Sequence, residues 1–122
     1  MKKIEMKIYD EVETLDGYQY LASRTISRDL KLDAIKSHAL HGMASEIGEV
    51  HGLYQKTYQG HQLDENHVKS ELGDLLWFIA EFCSANGWKL SDVANRNIEK
   101  LIARYPNGFE AEKSLKRKEG DI

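Results

Sequence analysis

A single proline, Pro106, stands in 122 residues, and on its N-terminal side apolar side chains recur with the 3.6-residue period of helices that bury one face. That pattern predicts an all-α chain, an antiparallel helical bundle of about four helices with an N-terminal arm and a charged C-terminal tail. Helices are expected over about 16–27, 33–59, 64–86 and 91–105, with Asp16 and Ser91 as N-terminal caps, Asp64 opening the third, and Gly60 and Gly87 closing the second and third. Ile4, Met6 and Ile8 alternate as a strand would but have no partner strand, so the first residues are read as an arm. Residues 110–122, with Lys113, Lys116, Arg117 and Lys118, read as a solvated tail. The length fits one domain, 1–122, with a core of about 16–109.

Lysine and arginine number 17 against 20 acidic residues, a net charge of −3. No broad basic field remains for a phosphate backbone, so a nucleic-acid partner is not expected. No run of 18 apolar residues suggests a membrane span, and the N-terminus does not read as a signal peptide, so the expected location is cytoplasmic. The lone cysteine, Cys83, falls on the apolar side of the third segment and is expected to be a buried thiol.

Two similar stretches carry the chemistry. Ser45-Glu46-Ile47-Gly48-Glu49-Val50 and Ser70-Glu71-Leu72-Gly73-Asp74-Leu75 are offset by 25 residues, each an acid, two spacers and a second acid. On a helix, residues three apart leave one face about 60° from each other. Glu46 shares its arc with Met43, Val50 and Leu53, and Glu71 shares its arc with Val68, Leu75, Phe78 and Phe82. Both acidic pairs thus border the core, whereas Lys56, Lys69 and Glu81 are assigned to the solvated side. The short link near 60–63 makes the two helices antiparallel neighbours and brings the pairs to similar levels.

Two carboxylates 4 Å apart repel by about 4 kcal/mol at an effective dielectric near 20, so a gathered set needs a positive partner. An all-oxygen donor set suits Mg²⁺, with Mn²⁺ as a possible substitute, better than Zn²⁺. Di-iron bundles use Glu-x-x-His, a spacing this sequence does not contain. His41 and His51 are read as nearby polar side chains and not as ligands. Gly48 and Gly73 each cost a helix interior about 1 kcal/mol, which close approach of a neighbour or ligand would justify. Asn97, Lys100 and Arg104 share one side of the fourth segment and form a candidate anion clamp.

These motifs, followed by Asn97-Ile98-Glu99-Lys100-Leu101-Ile102-Ala103-Arg104-Tyr105-Pro106-Asn107-Gly108-Phe109, resemble the MazG-like nucleotide pyrophosphohydrolases over roughly residues 17–109. The chain is similar to the compact, single-module or phage-type members. The resemblance implies Mg²⁺-dependent hydrolysis of ribo- or deoxyribonucleoside triphosphates to monophosphate and pyrophosphate, in the cytoplasm of a bacterial or phage-infected cell. It implies Glu46, Glu49, Glu71 and Asp74 as metal ligands, Glu46 or Glu49 activating water, and Asn97, Lys100 and Arg104 on the phosphates. It also implies a homodimer or homotetramer. Two other readings use the same residues: an alarmone (guanosine tetraphosphate) hydrolase on the same scaffold, and a noncatalytic helical assembly module with a structural cation.

Overall fold

A computed structural model describes residues 12–117. Five helices follow in order: α1 (Leu15–Ser23), α2 (Leu32–Thr57), α3 (Glu65–Ala85), α4 (Leu90–Arg104) and α5 (Ala111–Leu115). No strand occurs among the described residues. The strand-like arm at Ile4, Met6 and Ile8 lies outside them, as does the end of the tail, while α5 gives the start of that tail one exposed helical turn.

α2 and α3 form the main packed pair. His38 meets Glu81 whereas Glu46 meets Glu71, so the pairing runs backwards along α3 and the two helices are antiparallel. Gly60 and Gly87, at φ +94° and +72°, take the left-handed conformation that lets the chain leave each helix. His61 N–H then closes on the carbonyl of Lys56 at 3.1 Å, and Trp88 N–H on that of Cys83 at 2.9 Å.

Asp64 caps α3, accepting from the N–H groups of Asn66 and His67. The two expected caps, Asp16 and Ser91, do not cap their own helices. Thr14 caps α1, its hydroxyl oxygen accepting from Gly17 N–H at 2.9 Å. Asp16 instead reaches across to α4, where its two oxygens accept from the N–H and hydroxyl of Ser91. Gln19 accepts from Leu90 N–H at 2.7 Å and donates to the carbonyl of Trp88 at 2.8 Å. Ser91 therefore lies inside α4, whose free amides are satisfied by side chains of α1. Lys89, at the N-cap position, offers no side-chain bond.

The core lies where α1, α3 and the start of α4 meet, around Ala22, Ala80, Cys83 and Leu90, with Tyr18, Trp77 and Ile79 against it. The Trp77 indole N–H donates to the Thr25 hydroxyl at 2.8 Å and fixes the turn after α1. Cys83 is buried as expected, and burial pushes its thiol pKa upward, which disfavours a nucleophilic thiolate.

No neighbouring helix accounts for the motif glycines: nothing lies within 4 Å of a Cβ built on Gly48 or Gly73. Close approach occurs at Gly42, where an added Cβ would overlap the ring of Phe78. Large apolar side chains stay exposed along α2 (Leu40, Ile47), α3 (Leu72, Leu76) and α4 (Ile98, Ile102).

Candidate metal centre

The acid motifs sit in helix interiors, so their backbone is fixed and only side-chain torsions are free. Oxygens of Glu46, Glu49 and Glu71 gather within 4.8 Å of one another across the α2–α3 seam. Glu71 is buried, Glu46 half-buried and Glu49 exposed, so the cluster has a closed floor and an open side. Asp74, one helical turn beyond Glu71, is exposed and stands close enough for its charge to act on Glu46 and on Tyr18.

Glu46 records the repulsion. Its pKa is pushed up to about 7, first by a hydrogen bond to the carboxylate of Glu71, then by burial and by the charges of Glu71, Asp74 and Glu49. That hydrogen bond exists only while Glu46 keeps a proton to donate. With both carboxylates ionised, Glu46 Oε2 is a buried oxygen without a partner. On the preceding turn of α3, the imidazole of His67 faces Glu71, with Nε2 3.2 Å from its carboxylate. Tyr18 is held above its ordinary pKa by burial and then by Asp74, so its phenol stays protonated beside the acids.

The donor set fits a hard divalent cation. Oxygens bound to one Mg²⁺ at about 2.1 Å lie about 3 to 4 Å apart, so the cluster needs to contract only slightly to share an ion. A cation there would give the orphaned Glu46 oxygen the partner it lacks.

The three clamp residues all lie on α4. Asn97 is exposed, Lys100 and Arg104 are half-buried, and α4 packs chiefly against α1. Neither Asn97 nor Lys100 hydrogen-bonds or ion-pairs with the carboxylates, and the Arg104 guanidinium lies 5.9 Å from the centre of the Tyr105 ring. His41 and His51 are exposed.

Glu81 overturns its assignment to the solvated side. It is 2 % exposed, and both its oxygens face His38 Nδ1, at 3.0 and 3.1 Å. The signal was present in the sequence, because residue 81 falls about 40° from Trp77 and about 60° from Phe78, inside the apolar arc. His38 and His67, the two histidines that engage carboxylates, carry no such mark, since each depends on what a neighbouring side chain does.

Among the described residues, no helix is long and apolar enough to cross a membrane. Residues 32–109 match the family model described as "MazG nucleotide pyrophosphohydrolase domain". The chain is also similar to "Gene 37 protein" of Mycobacterium phage L5, 29% identical over 77 residues that cover 59% of this chain and 68% of that protein. No solved structure gives a significant match.

Proposed function

Since this chain belongs to the MazG nucleotide pyrophosphohydrolase domain family, we propose that it hydrolyses nucleoside triphosphates to nucleoside monophosphate and pyrophosphate with Mg²⁺ as cofactor. One observation carries the reading: three carboxylates within 4.8 Å, one with a buried oxygen lacking any partner. Such a set is costly without a cation and ordinary with one.

Glu46, Glu49, Glu71 and Asp74 hold the ion in this scheme, and the ion, when bound, neutralises triphosphate charge and makes water easier to deprotonate. Glu46 or Glu49 takes the proton of the attacking water, and Glu49, being exposed, is the more open to solvent. Asn97, Lys100 and Arg104 bind the phosphates, with Lys100 countering the charge that grows on the departing pyrophosphate. Tyr18, kept protonated, can donate a hydrogen bond at the edge of the acids.

Self-association into a homodimer or homotetramer is part of the proposal. The large apolar side chains left exposed on three helices, among them Leu40 and Ile47 of α2, Leu72 and Leu76 of α3 and Ile98 and Ile102 of α4, support it, because association would bury them. A single domain with a core of about 16–109, acting in the cytoplasm of a bacterial or phage-infected cell, completes the proposal.

Glu49→Gln tests it. The variant should fold normally and lose at least about 100-fold in turnover at saturating Mg²⁺. Full turnover would remove Glu49 from the scheme and with it the four-carboxylate site.

A further inference from the structure

The α2–α3 seam holds a second polar group that the proposed hydrolysis does not use. His38 precedes Glu46 by eight residues, about 12 Å along α2, and Glu81 follows Asp74 by seven, about 10 Å along α3. Between the two clusters, Gly42 stands four residues from both His38 and Glu46, and Phe78 stands four from Asp74 and three from Glu81. The Phe78 ring lies over Gly42, edge-on to His38 at 5.5 Å and to Trp77 at 5.1 Å between ring centres. The seam therefore reads acids, aromatic ring, His–Glu pair.

Glu81 is the one large side chain that is fully buried among the described residues. Burying a carboxylate costs several kcal/mol unless it is paired and hydrogen-bonded, and an apolar side chain of similar size would pack there at no such cost. What Glu81 does obtain is a fixed imidazole. Both its oxygens are acceptors for His38 Nδ1–H, which sets the ring's orientation and leaves Nε2 as the free polar atom. The His38 side chain is 51% exposed, so that atom can meet a ligand.

We propose that His38, oriented by Glu81, binds the nucleoside end of the substrate: with the phosphates on the acid cluster, the sugar and base extend along the seam over Phe78, and His38 Nε2 hydrogen-bonds their polar edge. The inference rests on the proposed hydrolysis, because it takes its direction from phosphates placed at the acids. The separation of about 12 Å suits a nucleoside reaching from its α-phosphate to the far edge of its base. An aromatic ring between the ends offers an apolar surface on that path. His38 is thus a binding residue and Glu81 a positioning residue.

The experiment compares a nucleoside triphosphate as substrate with inorganic tripolyphosphate as competitor, both with Mg²⁺. Tripolyphosphate carries the same anhydride chain without a nucleoside. His38→Ala should raise KM for the nucleoside triphosphate about tenfold or more, while inhibition by tripolyphosphate stays within twofold of wild type. Glu81→Gln preserves volume and one acceptor and should show the same split at smaller size, which guards against a folding defect in the alanine variant. Equal loss for both ligands, or no change in either, overturns the inference. Wild-type protein that hydrolyses no triphosphate overturns the proposed function itself, a result separate from a failed split.

Discussion

Glu46 on α2 and Glu71 on α3 face each other across the seam, and a hydrogen bond to Glu71, then burial and the neighbouring charges, raise the pKa of Glu46 to about 7, so that it keeps its proton nearly to neutrality. The folded state therefore holds this proton more tightly than the unfolded chain, whose glutamates titrate near their ordinary value of 4.5. The stability this proton confers is fully present below about pH 4.5 and is lost as pH rises through about 7. In metal-free protein, Glu46→Gln should remove that loss. Its melting temperature relative to wild type should climb between pH 5 and pH 8, as followed by calorimetry in a chelator. A constant difference across that range would show that Glu46 does not keep its proton towards neutrality.

Magnesium should reverse the ranking. At neutral pH a cation that binds only the folded chain stabilises it by about 1.4 kcal/mol when present at ten times its Kd, enough to move the melting temperature by a few degrees. Wild type should show this shift over millimolar Mg²⁺, and Glu71→Gln should show little or none. An identical shift in the variant would place the ion elsewhere.

The glycines separate two kinds of helix position. Gly42→Ala drives a methyl group into the Phe78 ring and should destabilise the fold by about 1 to 3 kcal/mol, measured by urea unfolding. Gly48→Ala and Gly73→Ala meet open space and should stabilise it by up to about 1 kcal/mol each. If either costs turnover while adding stability, its missing side chain leaves room for substrate, which the metal-free packing does not require.

Asp16 and Gln19 should behave as parts of α4 although they belong to α1. Asp16→Ala removes the acceptor for two donors on Ser91 and should cost about 1 kcal/mol. Hydrogen exchange should rise at the amides of Leu90 and Ser91 before the rest of the bundle. Unchanged exchange there would mean that α4 holds its own N-terminus.

The helical class, the four helices before Pro106 and the meeting of Glu46, Glu49 and Glu71 were legible because each follows from a local period and a short link. Glu71 and Glu46 could be placed at the core edge by rotation alone. The displaced caps could not, because Asp16 has two helix N-termini within reach and only the packing of α1 on α4 decides between them. Glu81 was legible by the same rotation that placed Glu71, and its charge alone argued it outward. The shared side of Asn97, Lys100 and Arg104 followed from the helical period of α4, whereas their position relative to the acids depends on how α4 packs, which no local period encodes.

The most direct measurement resolves, by ion-exchange chromatography, the products formed from a panel of ribo- and deoxyribonucleoside triphosphates and guanosine tetraphosphate, with Mg²⁺ or with chelator. Nucleoside monophosphate and pyrophosphate in equal amounts, formed from triphosphates only when Mg²⁺ is present, is the predicted result. Diphosphate with inorganic phosphate, or no product from protein that binds Mg²⁺, would contradict it.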